Sequence, residues 1–226
     1  MKISSHQPNF IPWAGYFYKI SISDAFVIAD DLDYSRKSYI NRNRIKTPEG
    51  SEWLTLPVKK MPLGTPINEI EISCADDVSK LLKTVKSCYA RAAYFKMFFE
   101  KFEEAMWSGG SNLSEINIAL INLVLRELKI ETPIYRTSAL SEIAAGSTDR
   151  IISICRAFGA DTYISGLGGQ NYQSAELMKA NGIECRVYKF RHPEYSQLWG
   201  KFEANLSVID LIFNCGPDAE RILKSI

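Results

Sequence analysis

The chain has 226 residues, of which 46% are hydrophobic and 23% are charged, and its formal net charge is +1. This length and composition predict one α/β domain with a substantial core, and the near-zero charge argues against a global field that attracts nucleic acid or anionic membranes. The five cysteines form no C-x-x-C pair, which indicates reduced thiols, and we expect a cytoplasmic protein because neither a secretory signal nor an apolar run of ~18 residues is visible.

The first 30 residues predict a strand, a polar loop, a helix and a second strand. The segment KISS is a short strand, GYFYKISIS has aromatic and apolar residues at helical spacing, and DAFVIAD has the length of a buried strand. Two strands joined by a crossover helix form a βαβ unit, so this pair of strands should be parallel.

The middle of the chain changes character. EWLTLPV predicts another strand, and PINEIEIS an edge strand. Residues 76–130 have helical periodicity, broken at Gly109-Gly110, and predict two long helices, the second capped by Ser114. We expect residues 76–130 to be a helical insertion or cover within a single domain that spans residues 1–226.

The last third alternates strands and helices. PIYRTSAL, ADTYISG and IECRVYKF predict strands, STDRIISICRAFG a helix capped by Ser147 or Thr148, and QSAELMKANG a helix that ends at Gly182. Two more helices are predicted around residues 205–213 and 217–225. Roughly six parallel strands with crossover helices predict a Rossmann-like α/β fold with a parallel sheet and flanking helices.

Three polar loops follow predicted strands: SSHQPN, DDLDYSRKSYINRNRIKT and SGLGGQNY. In open parallel sheets, ligands bind outside the carboxyl ends of the strands. We therefore expect the three loops to meet at one edge and to form one ligand site.

The first loop places His6 at a strand end. A histidine there can stabilise an oxyanion, move a proton or bind a metal, whereas an isolated loop histidine more often only satisfies backbone groups. We predict a catalytic His6, with Gln7 and Asn9 binding hydroxyl or amide groups of a substrate. His192, in RHPEY after a later strand, is a weaker candidate for the same edge.

The second loop is dense in charge. We predict that Asp30 and Asp31 are catalytic, orienting a substrate ammonium or Mg²⁺. Its basic side chains can neutralise a phosphate or pyrophosphate, and its tyrosines can stack on a ring. The alternative is a solvated loop whose charges pair among themselves, and the near-neutral chain disfavours a nucleic-acid surface. The predicted substrate-binding residues of this loop are Tyr34, Arg36, Lys37, Asn41, Arg42, Asn43, Arg44 and Lys46.

The third loop is rich in glycine and precedes a predicted helix. Glycines let backbone N–H groups approach a ligand, and a helix N-terminus favours an anion; the alternative is an ordinary strand-to-helix turn. We predict substrate contacts from Ser165, Gly166, Gly169, Gln170 and Asn171.

Five segments together resemble the WbqC-like family, and the resemblance covers essentially the whole chain. They are HQPNFIPWAGYFYKI, DDLDYSRKSYINRNRIKT, WLTLPV, TYISGLGGQNY and LSVIDLIFNCG. The family is associated with bacterial gene clusters for O-antigen and other surface polysaccharides, and the transfer of glycine or other aminoacyl groups to amino sugars has been proposed for it. The resemblance implies a transferase that acylates the amino group of a nucleotide-linked amino sugar.

A weaker resemblance concerns the first βαβ unit. It is similar to the opening of nucleotidylyltransferases and of pantoate–β-alanine ligase, although the second histidine and the glycine of their His-x-Gly-His motif are missing here. This likeness implies that ATP and Mg²⁺ activate a carboxylate as an adenylate before an amide forms.

Two other functions stay open at this point. The same loops would serve a non-catalytic protein that binds a nucleotide sugar or glycan for a partner transferase. Asp30, Asp31 and Asp33 also resemble the metal-binding aspartates of glycosyltransferases. The apolar run YFKMFFEKF favours a core helix over a contact between subunits of a homo-oligomer.

Overall fold

The computed structural model describes residues 1–171 and 173–225, and for Gln170 and Asn171 it describes the backbone alone. The strands are β1 (Lys2–His6), β2 (Ala25–Ile28), β3 (Arg42–Thr47), β4 (Gly50–Thr55), β5 (Ile134–Arg136), β6 (Thr162–Ser165) and β7 (Glu184–Val187). The helices are α1 (Ala14–Ser21), α2 (Ala75–Tyr89), α3 (Phe95–Ser108), α4 (Leu113–Glu127), α5 (Ser147–Ala157), α6 (Ala175–Ala180), α7 (Val208–Cys215) and α8 (Asp218–Lys224).

Five of these strands form a parallel sheet in the order β5-β2-β1-β6-β7. In the register of the central strands, Ile3 of β1 lies opposite Ala25 of β2 on one side and Tyr163 of β6 on the other. Helices flank the sheet, which confirms the predicted Rossmann-like α/β fold.

The predicted sixth strand, EWLTLPV, does not belong to this sheet. Its first part forms β4, which pairs with β3 in an antiparallel hairpin from Arg42↔Thr55 to Thr47↔Gly50. The turn between the two strands is only two residues long, and so short a connection can join only antiparallel neighbours. The second polar loop is therefore a loop only as far as Asn41 and continues as strand β3.

The chain reverses direction across the sheet at β1. From β1 it passes through α1 to β2 on one side, and later it returns to β6 on the other side. The loops after β1 and β6 consequently part from each other and leave a crevice at their carboxyl ends. This topological switch point is where ligands bind in open α/β sheets.

The sheet separates two hydrophobic clusters. In β2, Phe26 and Ile28 belong to the larger cluster, whereas Ala25 and Val27 belong to the smaller one, as the two-residue period of a strand requires. Helices α2, α3, α4, α7 and α8 pack in the larger cluster, and α5 and α6 in the smaller. The helical block of residues 76–130 thus shares its core with the sheet.

That block contains three helices and not the two that we predicted. The chain breaks between α2 and α3, where the N–H of Tyr94 donates to the carbonyl of Phe213 at 3.0 Å. A Cβ atom on Gly216 would lie 2.3 Å from the Tyr94 ring, so α7 and this break are packed in direct contact.

Three local predictions were wrong. Asn112 caps α4, because its side chain accepts a hydrogen bond from the N–H of Glu115 at 3.0 Å, while Ser114 is buried inside the helix. Gly146 occupies the N-cap position of α5, with a φ of 95°, so Ser147 and Thr148 lie within the helix. PINEIEIS forms a short 3₁₀ turn at Ile67–Glu69, which buries Ile67 and Ile70 three residues apart, on one face of the turn.

Within the described part of the chain, each helix is too short or too polar to span a bilayer.

Candidate functional site

A cavity of about 960 Å³ lies at the switch point of the sheet. Its floor includes Ser5 and His6 at the end of β1, and Ser165 and Gly166 at the end of β6. Small-molecule sites usually measure roughly 300–1,000 Å³, so this cavity is wide enough for a ligand as large as a nucleotide sugar. The loops after β1 and β6 therefore line the same cavity, as we expected.

His6 is part of the cavity floor, and one of its ring nitrogens already contacts a backbone carbonyl. Its Nδ1 lies 3.2 Å from the carbonyl oxygen of Gln7, a contact that fits an Nδ1–H donor and leaves Nε2 with a free lone pair. The ring of Tyr16 meets it edge-on at 5.1 Å, and the Tyr16 hydroxyl donates to the same carbonyl at 3.1 Å. These contacts fix the orientation of the imidazole.

The surroundings of His6 keep its ring neutral. The side chain is accessible to solvent within the cavity, but protein walls enclose it on the other sides. Desolvation by these walls lowers the pKa of His6, and the nearby charge of Lys19 lowers it further. At pH 7 the imidazole is therefore uncharged and ready to accept a proton.

Lys19 comes from helix α1 and also lines the cavity. Its side chain is only 4% exposed, and its Nζ donates to the carbonyl oxygen of Ser5 at 2.7 Å. The same Nζ lies 5.9 Å from the centre of the Tyr163 ring. Burial lowers the pKa of Lys19 to about 7, because few neighbours replace the water that would solvate an ammonium.

The glycine-rich loop after β6 packs tightly against the floor. The hydroxyl of Ser165 donates to Oε1 of Gln173 at 2.7 Å, and a Cβ atom on Gly169 would lie 2.3 Å from that hydroxyl oxygen. Gly169 is therefore needed for close packing at this point. Ser165, Gly166 and Gly169 line the cavity, whereas the side chains predicted at Gln170 and Asn171 lie outside the described part of the structure.

The opposite wall is the N-terminal turn of α5. Gly146, Ser147 and Arg150 line the cavity there. Arg150 is paired with Asp31, and its buried Nε makes no hydrogen bond within the described residues. A helix N-terminus beside a guanidinium is a favourable place for phosphate oxygens.

Aromatic side chains complete the walls. Trp13 and Phe190 meet edge-on at 5.0 Å, and Tyr188 donates through its hydroxyl to the carbonyl of Gly15 at 3.2 Å. Tyr16 and Tyr163 lie closer to the floor. Flat aromatic surfaces of this kind suit a sugar ring or a nucleobase.

The two predicted catalytic aspartates have different surroundings. Asp30 is 1% exposed and accepts hydrogen bonds from the N–H of Ser138 at 3.0 Å and from its hydroxyl at 2.7 Å. Asp30 thus fastens β2 to the chain after β5 and does not line the cavity. Asp31 does line it, where Arg150 and Thr137 occupy the carboxylate.

The predicted Mg²⁺ site does not fit these contacts. The carboxylates of Asp30 and Asp31 are already bound to protein donors, and within residues 1–171 and 173–225 the acidic, histidine and cysteine side chains form no group of three or more that could hold a metal ion. We therefore assign no metal ligand to this chain.

Most of the basic cluster lies away from the cavity. Arg42, Asn43, Arg44 and Lys46 belong to the hairpin. The side-chain amide of Asn43 donates to the carbonyls of Phe10 and Ile11, at 3.2 and 2.8 Å, and that of Asn41 donates to Leu56 at 3.0 Å. The two asparagines therefore fasten the hairpin to the rest of the fold.

The cations of the cluster are also engaged. The guanidinium of Arg42 stacks on Trp53 at 4.1 Å, and that of Arg44 contacts Ser51. Lys46 is 1% exposed and donates to Oε1 of Gln197 at 3.0 Å. In the loop before β3, Tyr34 is half-buried and Arg36 and Lys37 are exposed, all outside the cavity lining.

Three remaining candidates have separate positions. Gln7 lines the cavity directly after His6. Asn9 is 7% exposed and lies beneath the loop, outside the cavity lining. His192 packs against the rings of Phe190, Tyr195 and Phe202, so it lies behind the cavity wall.

Sequence reasoning missed several lining residues. Lys19 has a usable signal in the sequence, because a lone lysine three positions after Tyr16 shares its buried face. Arg150 was not singled out, and Ser147 was predicted only as a helix cap. Trp13, Tyr163, Tyr188 and Phe190 come from distant segments, and their periodicity gives no hint that they meet.

Comparison with known proteins identifies a family and a similar protein. A model of the WbqC-like protein family matches residues 7–222. A Mycobacterium tuberculosis protein, described as uncharacterized protein Rv1507c, is 33% identical over 232 residues, which cover 99% of this chain and 97% of that protein. No solved structure matches the chain.

Proposed function

This chain belongs to the WbqC-like protein family, and we propose that it is an enzyme that transfers an acyl or aminoacyl group, such as glycyl, to the amino group of a nucleotide-linked amino sugar. Its product would enter the biosynthesis of O-antigen or another surface polysaccharide. One observation carries the proposal: a neutral His6, with Nε2 free, lines a cavity at the switch point of the sheet.

The walls of the cavity provide places for the parts of a nucleotide sugar. The N-terminal turn of α5 and Arg150 suit the diphosphate, because the turn presents backbone N–H groups, and Arg150, although paired with Asp31, has an Nε that makes no hydrogen bond among the described residues. The aromatic wall around Trp13 and Phe190 suits the flat faces of a base or sugar. In this arrangement the sugar amine lies toward the floor, next to His6.

His6 would then handle the proton of the attacking amine. The amine nitrogen forms a bond to the acyl carbon, and the proton that it loses passes to Nε2 of His6. The bond between the acyl carbon and the leaving group breaks, the leaving group keeps the electron pair, and the imidazolium returns the proton to it. Asp33, which lines the cavity, would orient the ammonium of an aminoacyl donor, whereas Asp31 is held by Arg150.

The acyl group must arrive activated, or ATP must activate its carboxylate. In the second case the adenylate forms with release of pyrophosphate, and AMP is the leaving group in the transfer step. The phosphate-binding features around Arg150 would serve either a nucleotide sugar or ATP.

A mass-spectrometric transfer assay tests the proposal. The purified protein is incubated with UDP- or dTDP-linked amino sugars and one of two donors, either isotope-labelled glycine with ATP and Mg²⁺ or an activated ester of labelled glycine without ATP. We expect a labelled amide on the sugar in at least one arm and, in the ATP arm, AMP in equal amount. Amide formation from a pre-activated donor without ATP would support the transferase and reject the ligase route.

Other outcomes would overturn the proposal. If a nucleotide sugar stabilises the protein against thermal unfolding but no assay yields an amide, the protein is a non-catalytic binding protein. Release of a nucleoside diphosphate that requires Mn²⁺ would indicate a glycosyltransferase. A protein that neither binds nor modifies any of these nucleotide sugars would contradict the assignment of the cavity.

A further inference from the structure

Lys19 is a buried cation that the roles described above leave unused. Its side chain is 4% exposed, and its Nζ reaches the cavity floor beside the last residues of β1. Its hydrogen bond goes to the neutral carbonyl oxygen of Ser5, at 2.7 Å. A carbonyl can orient an ammonium but cannot neutralise its charge.

The other cationic side chain that lines the cavity is already paired. Arg150 forms an ion pair with Asp31, and His6 is neutral at pH 7. Among the ion pairs of the described residues, none includes Lys19. A buried charge is stable only when a partner compensates it, so the floor of the cavity is suited to an anion supplied by a ligand.

We propose that Lys19 binds the carboxylate of the acyl or amino-acid donor on the floor of the cavity, next to His6. This inference rests on the proposed function, because it names the part of the donor that the floor holds. On the ATP route this carboxylate would attack the α-phosphorus of ATP and release pyrophosphate, and the acyl carbon of the adenylate would then lie within reach of the amine that His6 deprotonates, with AMP as the leaving group. Lys19 would therefore act as a binding residue for the donor before activation, because an activated donor no longer carries this carboxylate.

The geometry favours a carboxylate over a phosphate at this point. One ammonium matches the single negative charge of a carboxylate, whereas a phosphate monoester carries about −1.5 to −2 at pH 7 and would leave charge uncompensated. The side of Lys19 that does not face solvent is covered by Tyr163, and its ring offers no second cation. The phosphate-binding features belong to a different element of the lining, at Arg150 and the start of α5, whereas Lys19 comes from α1.

Carboxylate binding should be linked to the protonation of Lys19. Without ligand its pKa is about 7, and a bound anion favours the charged form. The Kd should be constant below pH 7 and should rise about tenfold per pH unit above it, until the pKa of the complex is reached. The other titratable groups that line the cavity are His6, Tyr16, Tyr163, Tyr188, Asp33 and the Asp31–Arg150 pair. The pKa of His6 is lowered and that of Tyr16 is raised, so both titrate outside the window from pH 7 to 9.

Titration calorimetry with simple probes tests the inference on the full chain. Acetate and glycine are titrated at pH 6.5, 7.5 and 8.5, with inorganic phosphate and glycinamide as the comparison ligands. We expect acetate and glycine to bind, glycinamide to bind at least tenfold more weakly than glycine, and phosphate binding to be independent of Lys19. At pH 8.5, titrations in buffers of different ionisation enthalpy should show that the protein takes up close to one proton for each carboxylate bound.

Two variants and a control complete the test. Lys19→Met should no longer bind acetate or glycine and should show no proton uptake. Lys19→Gln is a second, polar replacement in case the first variant fails to fold. Lys179→Met, on the exposed face of α6, should behave like the unchanged protein. Acetate binding that survives in both Lys19 variants, or that shows no pH dependence in the unchanged protein, would overturn the inference.

Its failure is distinguishable from failure of the proposed function. If the amide forms in the transfer assay and Lys19→Met has an unchanged KM for the donor, the proposed function is supported and carboxylate binding by Lys19 is rejected. If no transfer occurs but carboxylates bind with the predicted pH dependence, carboxylate binding by Lys19 is supported and the reaction must be different.

Discussion

Two buried lysines show how the cavity differs from the hairpin. Lys19 is 4% exposed and Lys46 is 1% exposed. Lys46 donates to Gln197 and to the carbonyl of Lys201, and its charge acts on the buried Asp210, whereas Lys19 faces a cavity and a single neutral carbonyl. Lys46 thus completes a structural network, whereas Lys19 keeps its charge available for a ligand.

The same contrast applies to the two polar stretches as a whole. The basic cluster is the densest group of positive charges in the sequence, yet Arg42, Asn43 and Lys46 are engaged in contacts with other parts of the protein. The loop after β1 is sparse, but it lies at the switch point and places His6 in the cavity. Position relative to the strand ends, and not charge density, identifies the candidate site.

The largest expected effect concerns the cavity. His6→Gln keeps a polar side chain but removes the proton acceptor, so we expect the transfer rate to fall by roughly 10²–10⁴ with little change in stability. His192→Phe, which keeps a ring in the cluster behind the wall, serves as the matched control and should retain the rate. Steady-state kinetics and thermal unfolding measure both effects; a fully active His6→Gln would contradict the role of His6.

The next effect concerns the hairpin. Lys46→Met leaves the acceptors on Gln197 and Lys201 without their donor and removes the cation near Asp210. We expect a loss of roughly 2–4 kcal/mol in the free energy of unfolding, without a change in ligand affinity. Urea denaturation and calorimetry measure these quantities. A variant of unchanged stability that loses ligand binding would reverse our assignment of the two lysines.

The pKa of Lys19 predicts an effect on stability that is smaller per pH unit than the loss expected for Lys46→Met. This pKa is about 7 in the folded protein and ~10.4 in an unfolded chain, so between these values the unfolded state binds more protons. The stability of the unchanged protein relative to Lys19→Met should therefore increase with pH from 7 to about 10, by at most ~1.4 kcal/mol per unit, and should be flat below pH 7. Urea denaturation of both proteins across this range measures the difference. A difference that decreases with rising pH would show that a carboxylate partner compensates Lys19 in the free protein.

The smallest expected effect is on nucleotide-sugar affinity when exposed charges outside the cavity are removed. Arg36 and Lys37 are exposed and lie outside the cavity lining. The double variant Arg36→Ala, Lys37→Ala should bind nucleotide sugars within about twofold of the unchanged protein, because exposed charges far from a ligand are screened by salt. Calorimetry at 0.15 M salt would detect a larger loss, which would place the ligand on the loop before β3.

The sequence was sufficient to predict the parallel sheet and the edge at which the site lies. Continuous apolar strands separated by amphipathic helices leave few alternatives, and the convergence of the loops after β1 and β6 follows from that topology alone. His6, Gln7, Ser165, Gly166 and Gly169 line the cavity as expected because each lies at a strand end or within four residues after it. Their roles in binding and catalysis stay predictions.

The errors have physical causes of their own. The apolar signal of a strand does not reveal its partner, so EWLTLPV was assigned to the sheet although a two-residue turn pairs it with β3. The residue type of a polar side chain also does not reveal its burial: Asn41, Asn43 and Lys46 donate to backbone carbonyls inside the fold. Arg150 became visible as a lining residue only when helix α5 was placed beside the crevice.

The central claim is that ligands bind in the cavity at the switch point and not on the hairpin. The chain has only two histidines, His6 in the cavity wall and His192 behind it, so their imidazole protons give two resolvable NMR signals. We would titrate the protein with a UDP-linked amino sugar and follow both signals. A saturable shift of the His6 signal, with His192 nearly unchanged, is the predicted result. Saturable binding detected by calorimetry that leaves the His6 signal unmoved would contradict the account.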